Sequence, residues 1–213
     1  MPSTSESDFE QLRAWRGGNV TEGNALFARH VRSVLRFFRN KAGDAAEDLA
    51  QRTFLALVEA RDQFRGDCSF RTYLFTVARS QLLMHFRGRA VDNARFDPQT
   101  WSVVDLGVQP ARIVASQEAQ RVVIAALARL PIDYQVTFEL FYWEDLSVAE
   151  IAVVCEVAAG TIKARLSRGR ELLREQIAAL ATDDDILRST SDDVDRWLRT
   201  CAPIVVAKGD ADS

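Results

Sequence analysis

The chain is poor in the residues that build chemical sites. It has three cysteines, Cys68, Cys155 and Cys201, far apart and in no metal-ligand spacing. An odd, scattered set argues against a disulfide framework and fits reduced thiols in the cytoplasm. Only two histidines occur, His30 and His85, each inside a helical pattern where packing or surface roles outweigh a ligand role. No Gly-rich phosphate loop, carboxylate cluster or His/Cys metal set is present. Neither an enzyme nor a bound metal or cofactor is therefore expected. Asp183-Asp184-Asp185 is a charge run in a tail, not a site. No apolar run approaches bilayer length, so no membrane insertion is expected, and the polar start MPSTSESDFE has no signal-peptide character.

What is present is 213 residues, 47% of them apolar, enough for one or two small cores. The net charge of −3 looks wrong for a nucleic-acid binder, but its distribution changes that view. Residues 182–213 carry eight acids against four bases, a balance of −4, which leaves residues 1–181 at +1. Within Gly160 to Arg174 there are five bases and one acid, and local charge sets phosphate affinity.

Helical periodicity runs through most of the chain. A short amphipathic helix at 8–16 offers Phe9, Leu12 and Trp15 and ends at Gly17-Gly18. A second, Thr21 to Asn40, repeats Phe27, Val31, Val34, Leu35 and Phe38 at helical spacing. Asp44 offers an N-cap with Glu47 as its partner, opening a third helix to Arg61 that buries Leu49, Phe54, Leu57 and Val58. After the polar loop Gln63 to Ser69, a fourth helix from Phe70 to about Arg87 turns Phe70, Leu74, Val77, Ala78, Leu82 and Phe86 inward. Periodicity then stops, and Asp, Asn, Gly and Pro punctuate a stretch that reads as a linker contributing nothing to a core. It resumes over Ala115 to Leu130 and Asp133 to Trp143, with Pro131 between. The expected fold is all-α: two small helical domains, 8–88 and 113–181, joined by a flexible linker at 89–112, with an acidic extension at 182–213. In that extension Ile186, Leu187, Val194, Trp197 and Leu198 suit a short acidic helix, and Ile204-Val205-Val206 a small strand. The plain reading packs Trp197 on the second domain; the alternative is an internal inhibitor beside basic helices.

The second domain ends in Ser147 to Gln176. Ser147 and Glu150 form a capping box at the start of a short helix, and Cys155-Glu156-Val157 breaks its period. A longer helix from Ala159 places Ile162, Leu166, Gly169, Leu173 and Ile177 on one narrow stripe. Thr161, Lys163, Arg165, Ser167, Arg168 and Arg170 fill the rest of its circumference. That is the pattern of a helix-turn-helix whose second helix enters the major groove. An ordinary amphipathic helix with solvated arginines would show the same charges.

The residue order goes further. Leu130-Pro131, the Phe138 to Trp143 run, Leu146-Ser147, Glu150-Ile151-Ala152 and Gly160 to Leu166 closely resemble region four of the extracytoplasmic-function RNA polymerase sigma factors. Glu47 to Gln51 with Phe54, and Phe70 to Leu74 followed by Val77-Ala78-Arg79, resemble region two. The resemblance covers about 160 residues and implies a transcription initiation subunit whose partners are core RNA polymerase and promoter DNA. It implies that Glu47, Asp48, Gln51 and Arg52 face the polymerase. Gln63, Phe64, Arg65, Ser69, Arg71 and Arg79 would capture the −10 strand, and the six residues named on the last helix would engage the −35 duplex. An anti-sigma protein is a further partner the resemblance leaves open. The competing reading is a stand-alone helix-turn-helix regulator, which would need an upstream α/β sensing domain that the all-α first half does not provide.

Several positions depart from the family pattern. Arg52 stands where an acid is usual, Tyr73 for Trp, Ser80 and Met84 for Asn and Asp, and Glu156 for a turn Gly. Because Thr53 adjoins Arg52, phosphorylation there by a Ser/Thr kinase would restore the missing negative charge; an unmodified Thr53 beside a tolerated Arg52 is the plainer alternative.

Overall fold

A computed structural model describes residues 4–89, 96–107, 118–181 and 194–201. Helix α1 (Thr4–Arg16) ends at Gly17 and Gly18, and Gly18 takes a φ of 97° that a side chain would resist. Asn19 then caps α2 (Val20–Ala42), its side chain accepting from the Glu22 amide at 3.3 Å. The two helices meet where Trp15 lies edge-on to Phe27, centroids 5.0 Å apart. Gly23 makes the contact feasible, because a Cβ there would come within 2.5 Å of the Trp15 ring.

The buried arc of α2 is not the predicted one. Leu26, His30, Val34, Phe37, Phe38 and Lys41 are buried, Phe27 and Leu35 are half-buried, and Val31 is exposed. The reason is polar. Asp8 Oδ2 of α1 lies at hydrogen-bond distance, 2.8 Å, from His30 Nε2, and Lys41 pairs with Glu139 from the other half of the chain. Polar residues with such partners can be buried, and an apolar stripe does not reveal them.

The Asp44 cap does not form either. Gly43–Ala45 is a 3₁₀ turn, Gly43 has φ 54°, and α3 (Ala46–Glu59) starts from Ala45 with no side-chain cap bond. Asp44 is exposed, and Glu47 instead lies 3.5 Å from Arg39. Leu49 and Leu57 of α3 are buried as expected, whereas Phe54 is half-buried and Val58 exposed. Helix α4 (Phe70–Arg89) buries its expected residues, Val77 only partly, around Phe37, Phe75 and Phe86.

In the second half, α5 (Glu118–Ala128) and α6 (Ile132–Tyr142) are joined through Pro131. Gln135 Nε2 donates to the carbonyls of Ala128 (3.2 Å) and Leu130 (2.6 Å), closing the open end of α5 from within. Helices α7 (Val148–Cys155) and α8 (Ala159–Leu180) complete the unit, and the whole predicted α8 stripe is buried. Gly169 belongs to that stripe because Phe138 fills its space; a Cβ would meet the ring at 2.7 Å.

The linker expectation needs correction. Where residues 96–107 are described, Ser102, Val103 and Leu106 are buried, and Ser102 bridges to Pro131. Trp101 O and Pro98 O accept from the amides of Ile132 and Asp133 at 2.9 and 3.0 Å. The segment lacks periodicity because turns, not a helix, place its apolar side chains. The two halves also pack together, α4 against α7. In the extension, α9 (Val194–Cys201) buries Val194, Leu198 and Cys201, with Trp197 half-buried against the core. Ile186, Leu187 and Ile204-Val205-Val206 lie outside the described residues.

Candidate nucleic-acid interface

Ser147 opens α7 with the expected reciprocal box: its hydroxyl accepts from the Glu150 amide at 3.2 Å, and Glu150 Oε2 accepts from the Ser147 amide at 2.9 Å. Partial burial pushes the Glu150 carboxyl up, but the Ser147, Thr72 and Ser69 donors outweigh it and hold the group below its ordinary value. The turn into α8 runs through Glu156 in the left-handed region, φ 56° and ψ 41°, with the Val157 amide returning to Ala152 O at 3.1 Å. A side chain in that conformation costs roughly 1 kcal/mol that glycine does not incur. Glu156→Gly is expected to raise stability by about that amount, read from the thermal midpoint, with the turn itself unchanged.

The outer face of α8 divides into three sets. Thr161, Lys163, Ser167 and Arg168 are exposed, clear of the stripe that holds the helix. Arg165 is not on that face. It is only 7% exposed, and its Nη2 donates to Asp133 Oδ2 at 2.6 Å, so its expected contact with duplex DNA is corrected to an internal ion pair. Arg170 is half-buried, its Nε donating to Tyr142 Oη at 3.0 Å and to Asp195 Oδ1 at 2.9 Å. Burial and the Asp195 hydrogen bond push the Tyr142 phenol up to about 12. The Trp143 indole also donates to Leu198 O at 2.6 Å, so α9 is fastened to the same unit that carries α8. Trp197 packed on the core is what the plain reading of the extension expects, while Asp195 on Arg170 engages a residue expected at the −35 duplex, as the inhibitor alternative has it.

On the other half, the loop before α4 is held from the N-terminal side. Arg16 Nε donates to Arg61 O at 2.9 Å and its Nη2 to Phe64 O. Phe64 is buried between Phe9 and Tyr73, with centroids at 6.3 and 4.7 Å, so it supports the loop and is not open to receive a base. Gln63 and Arg65 remain exposed. Ser69, Arg71 and Arg79 are turned toward the second half. Arg71 donates to Glu144 at 2.6 Å, Arg79 to Asp133 at 3.0 Å, and the Ser69 hydroxyl lies 3.3 Å from Glu150 Oε1. Sequence reasoning passed over these carboxylates. The signal was there in Asp133, Glu139 and Glu144, acids inside or beside the apolar run Ile132 to Trp143.

Helix α3 exposes Glu47, Asp48, Gln51 and Arg52 along one edge that continues to the exposed Leu55. Arg52 is paired with Asp48 one turn earlier, 2.9 Å away. Thr53 faces the opposite way: it is fully buried, and its hydroxyl donates to Leu49 O at 2.8 Å. A kinase has no access to it in this fold, which removes the phosphorylation switch expected there.

Residues 26–91 match the family described as Sigma-70 region 2, and residues 120–173 match Sigma-70, region 4. Among curated relatives, the ECF RNA polymerase sigma factor SigW of Bacillus subtilis is 31% identical over 143 residues, covering 63% of this chain and 76% of the relative. The RNA polymerase sigma-H factor of Pseudomonas aeruginosa is 27% identical over 188 residues, covering 83% of this chain and 97% of the relative. Among solved structures, the sigma factor RpoE of Bartonella quintana, in complex with the anti-sigma factor NepR, aligns with a TM-score of 0.53 and 25% identity over 75% of this chain and 97% of that one. CnrH, in complex with the cytosolic domain of CnrY, has the same fold at a TM-score of 0.58 and 20% identity, covering 82% of this chain and 99% of that one.

Proposed function

The chain belongs to the extracytoplasmic-function RNA polymerase sigma factors, and from that membership we propose how its surfaces divide the work of initiation. The α3 edge of Glu47, Asp48 and Gln51 docks on core polymerase, with Leu55 extending it as an apolar contact. Arg52, tied to Asp48, reduces the acidity of that edge and sets the charge of the partner it prefers. Thr161, Lys163, Ser167 and Arg168 engage the −35 duplex, some on base edges and some on phosphates. Gln63, Arg65, Ser69, Arg71 and Arg79 hold the −10 strand, while Phe64 shapes the loop that carries them. RNA synthesis remains the work of the core enzyme, so no catalytic residue is assigned here. A subunit that acts on core polymerase acts in the cytoplasm, which is the compartment we propose. RpoE is bound by the anti-sigma factor NepR, and an anti-sigma protein is proposed as a further partner of this chain.

The observation that carries the reading is the pairing of two exposed edges: an acidic one on α3 in the region-two match and a basic one on α8 in the region-four match. A pull-down of core polymerase followed by run-off transcription tests it. Wild-type protein is expected to bind and to direct a defined transcript, and Asp48→Lys to lose about tenfold in core affinity. Core binding left intact by Asp48→Lys would move the docking surface elsewhere.

A further inference from the structure

The contacts between the two halves have one charge logic. On the region-two side they are cations, hydroxyls and the Asn40 amide; on the region-four side they are carboxylates and the Trp143 carbonyl. Arg36 and Arg71 both donate to Glu144, the second at 2.6 Å. Asn40 (3.1 Å) and Lys41 donate to Glu139. Arg79 donates to Asp133 at 3.0 Å, and Ser69 and Thr72 lie 3.3 Å from Glu150 Oε1. Asp133, Glu139 and Glu144 are all buried, so these are interior contacts and not a passing surface encounter. A carboxylate and a phosphate offer a guanidinium the same acceptor geometry.

We propose that the α6–α7 carboxylates act as an internal stand-in for the −10 strand. In the closed chain they occupy Ser69, Arg71 and Arg79, three of the five residues assigned to hold that strand, so the halves must part before the strand can be held. The inference rests on the −10 assignment above. It differs from regulation by an outside protein, because the competitor is part of the chain. It also gives a function to the acids of α6, α7 and the turn between them. Any ligand that prefers the open arrangement, core polymerase included, then draws the chain open in proportion to its preference for that form.

The test measures the anisotropy of a fluorescein-labelled fifteen-residue oligothymidine with the full chain. Glu144→Gln/Glu150→Gln keeps the side-chain shapes and the capping box, since Gln serves at that position. The double variant is expected to bind the probe at least about tenfold more tightly than wild type, because the apparent affinity of a masked site is reduced by its open fraction. Adding Arg71→Ala to the double variant is expected to remove the gain. An unchanged affinity would overturn the proposal. So would a gain that survives Arg71→Ala, since the strand would then be held elsewhere. Glu144→Gln alone, with and without Arg71→Ala, repeats the comparison with a milder change should the double variant fail to fold. Run-off transcription by the wild type with core polymerase reports on the sigma reading separately: a normal transcript beside an unchanged probe affinity would sink the masking and leave the family function intact.

Discussion

Lys41→Met is expected to lower the unfolding free energy by about 3–5 kcal/mol, measured by urea denaturation. Both Lys41 and Glu139 are completely buried, and burial pushes the Lys41 ammonium down and the Glu139 carboxyl up from their ordinary values. Each group is kept by the other, by Asn40 Nδ2 at 3.1 Å from Glu139, and by the Phe37 ring lying 3.9 Å from the lysine nitrogen. Removing the lysine leaves a buried carboxyl with one donor. Lys41→Met/Glu139→Leu should recover most of the loss, because replacing a whole buried pair by apolar groups is often nearly neutral. Recovery should fall short by about 1–3 kcal/mol, the cost of stranding the Asn40 amide. If the single variant lost less than about 1 kcal/mol, the contact between the halves would not be an interior one.

Lys163→Ala/Arg168→Ala is expected to weaken binding of the polymerase holoenzyme to its promoter about a hundredfold at moderate salt. It should also make the dependence of log K on log salt shallower by roughly two phosphate contacts' worth. Both side chains are exposed on α8, outside its packed stripe. Arg165→Ala separates this from a general effect of charge. Its guanidinium is buried against Asp133, so that variant should lower stability and leave the salt slope where it is. Equal slopes for wild type and the Lys163→Ala/Arg168→Ala variant would remove these two residues from the −35 contact.

Local features were the ones legible in the sequence. The Ser147–Glu150 box and the stripe from Ile162 to Ile177 both depend on spacing within one helix, and both are present. Glu156 was marked by its departure from glycine, and its left-handed φ shows the price of that departure. What was not legible depends on partners distant in the chain. Periodicity offered Val31 where the fold buries His30 and Lys41, because nothing in α2 announces Asp8 or Glu139. Arg165 looked like its neighbours on the wheel until Asp133, 32 positions earlier, was brought beside it. Thr53 looked like a modifiable hydroxyl next to an unusual arginine, but it lies one step around the helix from Arg52 and points into the core. The stretch after α4 spaces its apolar residues irregularly, so no helical period assigned Val103 and Leu106 to the core.

The Arg16 contact carries a consequence for where this functional unit begins. The region-two match starts at residue 26, inside α2, and leaves out all of α1. Yet Arg16 grips two main-chain oxygens of the loop before α4, and Phe9 forms one wall around Phe64. Cut at Leu26, the chain would retain every residue of the matched region and lose the latch on its strand-holding loop. In hydrogen-exchange terms, the amides from Gln63 to Ser69 should then exchange at rates set by the loop alone, while those of α4 keep the protection of their helix. The first helix, which bears no mark of the family, is in this sense the hinge pin of its most specific loop.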